Sequence, residues 1–320
     1  MYALRGLAVS LSIFVLLYAA LSLAVCMVWR RAWLYGQKAS ARGCADLLFF
    51  LRMAPLLVAT AVTLALAVPS FVILEPRAVE ESMGVAPLLL AGCGLGVMLA
   101  GIWNAAAAWV RASRTVARWS MAARVVGVLP VNSRQPVSVL LTSATAPPLT
   151  ATGIRWPSLW LSRAAQSVLT EAELQSALRH EVAHVRRRDN LRKLLLRLVA
   201  LPGMAQLESA WREATEMAAD DAAVASASEA LDLAAAVIKL SRLAPLQPPA
   251  ELTTALVHSP AESVDARVKR LVAWTERPQT PARAYSWRYA WCAAATLAAL
   301  AVTYSDLLVR VHAATEWLVR

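Results

Sequence analysis

The sequence predicts a mainly α-helical, polytopic membrane protein with about four transmembrane helices and a cytoplasmic α+β domain. Two observations lead to this fold class. Hydrophobic residues make up 58% of the 320 residues, more than the roughly 45–50% usual in soluble proteins. They also collect in long runs, whereas charged residues lie between the runs. We therefore divide the chain into a three-helix membrane region (1–110), a cytoplasmic domain (111–286), and a fourth helix with a short external tail (287–320).

The first apolar run extends from Leu7 to Trp29. At about 1.5 Å per residue it is long enough to cross a hydrocarbon layer of about 30 Å. It is longer than the apolar part of a signal peptide, only Arg5 precedes it, and Arg30 and Arg31 follow it directly. We interpret it as a retained first span.

The remaining spans are predicted at about Met53–Leu74, about Ala86–Val110 and about Trp287–Val302. The third contains Gly94, Gly96 and Gly101, and small residues of this kind permit close contact between helices. The spans are nearly free of ionisable residues. This argues against a transporter or channel, which would place such residues inside the membrane.

The charges of the loops predict the orientation of the spans. Five basic residues flank the first connection, namely Arg30, Arg31, Lys38, Arg42 and Arg52. The second connection contains Glu75, Glu80 and Glu81 against only Arg77. Since basic loops stay in the cytoplasm, the N-terminus should be external and residues 111–286 cytoplasmic.

Charge and cysteine content exclude two further classes. Many of the residues behind the net charge of +11 lie beside the apolar runs, where they would meet anionic headgroups. No nucleic-acid-binding module accompanies them, so we expect the lipid bilayer as a partner and no nucleic acid. The four cysteines, Cys26, Cys44, Cys93 and Cys292, show no CxxC spacing. We therefore expect neither a disulfide framework nor a cysteine metal site.

The cytoplasmic segment should begin with an amphipathic helix to about Val128. Short apolar runs at Val137–Leu141 and Leu159–Leu161 predict a strand pair. A capping-box pattern, Thr170 with Glu173, then predicts the start of a helix. Later helices are expected at about Leu191–Leu201, Leu207–Ala225 and Glu229–Leu243.

The predicted helix after Thr170 carries the motif His180-Glu181-Val182-Ala183-His184. One helical turn separates the two imidazoles, so both lie on one face and can bind one tetrahedral metal ion. Glu181 stands beside that pair, where it can act as general base toward a water. The sequence therefore predicts one Zn²⁺ per chain in a zincin-like metallopeptidase domain.

A second acidic pattern supplies the missing ligand. Glu216 and Asp220 form an ExxAD sequence on a predicted helix, which offers a third metal ligand and a carboxylate that can orient a ligand histidine. Glu213 lies on nearly the same helical face and competes with Glu216 for the third position. Asp189 is a further candidate for orienting a ligand.

The chemistry also needs a donor for the oxyanion and a place for the substrate. His258, Arg267 and Arg270 are the candidates for the oxyanion or for a substrate contact, although each residue type is commoner as an ordinary surface or ion-pair residue. The predicted strand at Val137–Leu141 could accept an extended peptide at its edge. A structural hairpin explains that strand equally well.

The segment His180-Glu181-Val182-Ala183-His184-Val185-Arg186-Arg187-Arg188-Asp189-Asn190 resembles the BlaR/MecR-type membrane metallopeptidases, the family of the bacterial beta-lactam sensor-transducers. The Gly153 to Pro157 segment, the acidic residue Glu216 and the arrangement of three spans before the domain and one after it are also similar. The resemblance implies a zinc-dependent gluzincin of the bacterial inner membrane that cuts itself or a cytoplasmic regulator when signalled. It further implies a cytoplasmic repressor and a separate membrane or external sensor as partners.

The sequence departs from the sensor-transducers because we expect no extracellular penicillin-binding domain after the fourth span. Direct sensing of beta-lactams is therefore not expected. Two alternatives stay open: a membrane quality-control protease that resembles the CAAX-prenyl-protease or heat-shock type, and a non-proteolytic zinc-containing receptor. Glu181 argues against the receptor, since a structural zinc site needs no general base.

Overall fold

The computed structural model describes residues 2–37, 40–76, 84–121, 123–132, 135–142, 147–243, 252–255, 261–276 and 303–316. The predicted fourth span at 287–302 and the candidate residue His258 lie outside these ranges. The described residues are mainly helical, with one small sheet.

Three helices of the described residues are long and apolar enough to cross a membrane. They are Tyr2–Gly36 (α1), Ala41–Leu74, and Val85–Ser120 (α4). The middle one consists of α2 (Ala41–Val62), a π-helical turn (Thr63–Ala67) and α3 (Val68–Leu74). The three spans predicted from hydropathy lie within these helices. The first helix is longer at both ends, the second begins 12 residues earlier, at Ala41, and the third ends 10 residues later, at Ser120.

The interruption of the second span has a local cause. Pro69 has no backbone N–H, so the carbonyl of Ala65, four residues earlier, loses its α-helical partner. Residues 303–316 form a further helix, α11. The Tyr304 hydroxyl of α11 donates to the Ala65 oxygen at 2.7 Å. This bond places α11 beside the second span.

Two glycines allow the third span to pack closely on its neighbours. A Cβ at Gly94 would lie 2.7 Å from the Leu11 carbonyl oxygen of α1, and one at Gly101 would lie 2.3 Å from the Leu198 carbonyl oxygen. Both distances are shorter than real contacts allow, so only glycine fits these positions. Gly96, by contrast, faces open space.

The sheet has the strand order β1-β2-β4-β3-β5. Its strands are Arg124–Asn132, Gln135–Thr142, Leu149–Thr152, Ser158–Ser162 and Thr254–Ala255, numbered β1 to β5 along the chain. β2 and β4 run parallel, and every other neighbouring pair is antiparallel. The two predicted strands are therefore present, as β2 and β4.

Two expectations about this region are wrong. The helix expected to reach Val128 ends at Ser120, and β1 begins at Arg124, because β-branched Val125, Val126 and Val128 favour a strand over a helix. The strand over Val137–Leu141 is not an edge, since β2 pairs with β1 on one side and β4 on the other. It has no free edge for a peptide.

The helices after the sheet are α5 (Arg163–Val168), α6 (Glu171–Arg187), α7 (Asp189–Arg197), α8 (Ala205–Ala223), α9 (Ala227–Arg242) and α10 (Ala261–Val272), followed by a 3-10 turn at Ala273–Glu276. The predicted capping box starts α6: Glu173 N donates to Thr170 Oγ1 and Thr170 N donates to the Glu173 carboxylate. Arg188, with φ of 55°, ends α6 in the left-handed region, and the chain resumes as α7. The left-handed Arg188 therefore separates α6 from α7 just after the HExxH motif.

The described residues bury two large apolar cores. The first lies between the sheet and helices α6 and α9, and its members include Val139, Leu159, Leu161, Val182, Leu233, Val237 and Leu240. The second joins α1 and α2 to α7 and α8, and its members include Phe14, Tyr18, Leu48, Phe49, Leu196, Val199 and Trp211. Two membrane helices thus share a core with the helix that carries Glu216. We call this second cluster the shared core.

Candidate metal centre

Helix α6 brings the two motif histidines together in the interior. His180 and His184 are 0% and 1% exposed, and their Nε2 atoms are 3.1 Å apart. The spacing of four residues produces this arrangement, since it places both side chains on one face a single turn apart. The capping box fixes where α6 begins and therefore which face of the helix the histidines occupy.

A carboxylate holds the other nitrogen of each ring. His180 Nδ1 lies 2.9 Å from Asp220 Oδ1, and His184 Nδ1 lies 2.7 Å from Asp189 Oδ2. Both carboxylates carry negative charge and lie beside Nδ1, so we assign the ring proton of each histidine to Nδ1. Each Nε2 then presents a lone pair, and the two lone pairs face each other. Such a pair is repulsive unless a cation lies between them, and a metal ion fits that requirement.

Glu216 on α8 completes the group. Its Oε2 lies 3.5 Å from His180 Nε2, and its Oε1 lies 3.6 Å from His184 Nε2. Ligands around a tetrahedral zinc ion stand about 3.4 Å apart, given metal–ligand bonds of about 2.0–2.2 Å. The competing candidate Glu213 is exposed and instead lines a groove beside Trp29 and Arg30 of α1. The geometry therefore places Glu216, and not Glu213, with the histidines.

Arg267 from α10 binds both acidic residues of α8. Its guanidinium lies 2.9 and 2.6 Å from the two oxygens of Asp220 and 3.1 Å from Glu216 Oε2. Arg267 is 3% exposed, so its two hydrogen bonds with Asp220 and its ion pair with Glu216 form away from solvent. Arg267 therefore orients Glu216, a candidate ligand, and Asp220, the partner of the candidate ligand His180.

The electrostatics follow from burial and from these charges. Burial alone would raise the pKa of Glu216, but the charges of His184 and Arg267 and the hydrogen bond with His180 lower it to about 2. Burial alone would lower the pKa of His180, yet hydrogen bonds with Asp220 and Glu216 raise it to about 9. Without a metal ion the group therefore attracts a proton, which shows how strongly its negative charge favours a cation.

Glu181 is fully buried next to the histidines. Its Oε2 accepts a hydrogen bond from Thr254 Oγ1 at 3.2 Å, whereas Oε1 has no hydrogen-bond partner among the described residues. Burial raises the pKa of Glu181 above its usual value, although the neighbouring His184 and His180 oppose the shift. A carboxyl with a raised pKa holds a proton more readily than an ordinary glutamate, and the Oε1 atom can accept that proton.

Two residues that the sequence reasoning missed lie at the same place. Lys193 Nζ donates to the Thr253 oxygen at 2.6 Å, and burial lowers the pKa of Lys193 even though Glu216, Asp189 and Glu181 oppose this. Thr254 donates to Glu181 as described. Lys193 follows Asp189 by one helical turn, a spacing visible in the sequence. Nothing in the sequence indicated Thr254, which comes from β5.

The three candidates for the oxyanion or for substrate are not brought together. Arg267 is occupied by Asp220 and Glu216. Arg270 lies one turn further along α10, where it binds Asp221 at 2.5 Å and the Met217 oxygen at 3.3 Å. His258 lies outside the described residues.

A second-span residue also reaches the motif. Asp46 Oδ1 of α2 lies 2.5 Å from Arg192 and 3.7 Å from Arg187. Arg187 in turn contacts Asp189 at 3.4 Å, and Asp189 holds His184. A continuous chain of charged contacts therefore connects the start of α2, the first part of the second span, to a candidate metal ligand.

A comparison with known families supports the same chemistry. The profile of the BlaR1 peptidase M56 family matches residues 59–271, a segment that contains the three candidate ligands and Glu181. No curated protein sequence matches the chain with significant similarity. Because the match covers about two thirds of the chain, the chain belongs to the BlaR1 peptidase M56 family, which implies a membrane metallopeptidase.

Proposed function

We propose that the protein is a zinc-dependent metalloendopeptidase that hydrolyses peptide bonds in itself or in a cytoplasmic regulatory protein, as part of signal transduction. One observation carries the proposal: His180, His184 and Glu216 direct three donor atoms to one point, and the buried carboxyl of Glu181 stands beside it. A purely structural metal site has no use for a fourth, proton-accepting residue.

The donor set supports zinc. Two imidazoles and one carboxylate suit this ion, and three protein ligands leave a fourth position open, as in catalytic sites. A bound zinc ion would supply Lewis acidity, which lowers the pKa of a water and polarises a peptide carbonyl. Asp220 and Asp189 lie against the two Nδ1 atoms, which leaves both Nε2 atoms to bind such an ion.

Glu181 moves the proton in this proposal. Its free Oε1 accepts a proton from the attacking water, and its raised pKa lets it keep that proton until the leaving amine takes it. Thr254 holds the other oxygen and so fixes the orientation of the carboxyl. Lys193 binds the carbonyl of Thr253, the residue directly before Thr254.

β5 does not replace the peptide-binding edge that was wrongly expected at β2. Among the described residues it pairs with β3 on one side only, but Leu252, Thr253 and Thr254 are at most 3% exposed, so its other side is covered.

The place of the reaction follows from the loop charges. The positive-inside rule orients the peptidase part toward the cytoplasm of a bacterial inner membrane. A cytoplasmic repressor is then a fitting substrate, and a separate sensor would supply the signal. The shared core supports direct transmission, because it connects α1 and α2 to α8.

The test compares the wild type with Glu181→Gln in the full chain, purified in detergent. We would measure bound zinc and the cleavage of the chain itself and of a cytoplasmic peptide library. Zinc in both proteins with cleavage in the wild type alone would support the proposal. Glu213→Gln, an exposed carboxyl on the same helix as Glu216, is the matched control and should behave as wild type.

Two results would overturn the proposal. Absence of zinc from both proteins would remove the metal chemistry. Zinc in both proteins with cleavage in neither would favour a zinc-containing receptor over a peptidase.

A further inference from the structure

A second group of potential metal ligands lies far from the peptidase motif. Glu75, at the end of α3, meets His312 and Glu316 of α11, and one ligand atom from each lies within 4.8 Å of the others. Among the described residues, these and the motif residues are the two groups of three with that property. His312 and Glu316 are four residues apart, so one turn of α11 presents both side chains on the same face.

The position of α11 is fixed at two points along the second span. Tyr304 binds the Ala65 carbonyl near one end of α11, and His312 lies beside Glu75 near the other. From 304 to 312 the helix rises about 12 Å, and from 65 to 75 the span rises about 15 Å. The two helices therefore run side by side in the same direction, and the group stands where the second span ends.

The distances in this group suit an ion better than direct hydrogen bonds. His312 Nε2 lies 3.9 Å from Glu75 Oε2 and 3.6 Å from Glu316 Oε1, whereas a good hydrogen bond would need about 2.7–3.2 Å. The candidate ligands of the peptidase site show the same spacing, 3.5 and 3.6 Å between imidazole and carboxylate. The atoms surround a space between them and do not bind each other directly.

Charge and burial favour a cation in that space. The Glu75 side chain is 10% exposed, and its other oxygen, Oε1, lies 3.3 Å from Arg5, which leaves Oε2 directed at His312. With a neutral imidazole, the two carboxylates and Arg5 carry a net charge of −1. One imidazole and two carboxylates suit a first-row divalent transition metal such as Zn²⁺, Co²⁺ or Ni²⁺ better than Mg²⁺ or Ca²⁺, which prefer oxygen alone.

We propose that Glu75, His312 and Glu316 form a second metal site, specific for divalent transition metals, which fastens α11 to the end of the second span. This site is weaker than the peptidase site, because Glu316 is 49% exposed and three donors converge without a buried carboxylate behind the imidazole. It is therefore filled only when the metal is abundant. With the orientation given by the loop charges, the site faces outward and reports external metal through the second span.

The test measures metal binding without using peptidase activity. The full chain with His180→Ala and His184→Ala, which removes the peptidase ligands, is titrated with Co²⁺ in detergent and followed by equilibrium dialysis and by the visible absorption of the ion. We expect one Co²⁺ per chain. Adding His312→Ala or Glu75→Gln should weaken binding at least about tenfold, and Glu316→Gln by less.

The matched control is Asp306→Asn, an exposed carboxylate on the same helix, which should bind Co²⁺ as the parent does. Circular dichroism and gel filtration establish that each variant remains folded. Absence of binding in the parent, or equal binding in the parent and the His312→Ala and Glu75→Gln variants, would overturn the proposal. Because these proteins lack the peptidase ligands, the result is independent of the proposed function.

Discussion

Arg267 offers the sharpest test of how the candidate metal centre is built. Arg267→Met keeps much of the side-chain volume but removes the charge that lies between Asp220 and Glu216. Two buried carboxylates then lose their cation. Breaking a buried ion pair of this kind costs about 3–5 kcal/mol, so the apparent melting temperature of the metal-free protein should fall by about 6–20 °C. The loss should be smaller with zinc bound, since the ion itself then neutralises Glu216.

The same substitution should also loosen the metal. Residues behind metal ligands typically contribute about 10- to 100-fold to affinity, and Arg267 holds both Glu216 and the partner of His180. We would measure zinc affinity by competition with a chelator and melting by intrinsic fluorescence, both in detergent. Arg270→Met is the control, because its partner Asp221 is 39% exposed and such a pair contributes only about 0–1 kcal/mol.

One result would refute this reasoning. If Arg267→Met bound zinc and melted as the wild type does, but lost about 10²- to 10³-fold in kcat, Arg267 would be acting on the oxyanion. Its contacts with Asp220 and Glu216 would then be secondary.

Three further predictions concern the same site. Thr254→Val removes a hydrogen bond to the Glu181 carboxylate, so cleavage at pH 7 should fall about 10- to 100-fold. The acidic limb of the pH–rate profile should also move to higher pH, because the carboxylate loses a donor that stabilises its charge. Thr254→Ser keeps the hydroxyl and should behave as the wild type in both measurements. Asp189→Asn should weaken zinc binding about 10- to 100-fold in chelator competition, since His184 loses its charged partner; an unchanged affinity would contradict this. The pKa of Glu216 is about 2 in the folded protein against 4.5 ordinarily, so its contribution to the stability of the metal-free protein, about 3 kcal/mol, is present above pH 4.5 and lost as the pH falls toward 2. A melting temperature that stays constant across that window would count against the assignment.

Local patterns predicted the parts of the site that depend on one helix. The capping box at Thr170 and the four-residue spacing of His180 and His184 need only the geometry of α6, and the structure has both. Glu216 was preferred over Glu213 because ExxAD supplies a partner for a histidine. The structure places Asp220 2.9 Å from His180, in line with that reason.

The other contacts depend on residues distant in sequence or on an unusual turn. Arg267 meets Asp220 across 47 residues, and Thr254 meets Glu181 across 73. The hydrophobic periods of helices and strands relate only residues that are close in sequence, so they do not predict such pairs. Asp189 reaches His184 only because Arg188 takes the left-handed conformation, which roughly costs 1–2 kcal/mol for a residue with a Cβ. A continuing α6 would have carried Asp189 away from the ring.

The sheet was predicted least well, for a physical reason. Val125 to Val128 follow a helix with no proline or strong turn signal between, so hydrophobicity alone does not separate helix from strand there. The parallel pairing of β2 with β4 depends on the crossover between them, which is set by packing. The expected substrate edge was misplaced for that reason.

The shared core makes the peptidase part dependent on the first two membrane helices. A cut after the third span would leave Leu196, Val199 and Trp211 facing water, because Phe14, Tyr18 and other apolar residues of α1 and α2 cover them in the intact chain. The peptidase part therefore depends on α1 and α2, and it cannot be excised or joined to other membrane helices without losing this packing. Because the same apolar residues pack α1 and α2 against α8, a tilt of the first two helices would displace α8, which carries Glu216.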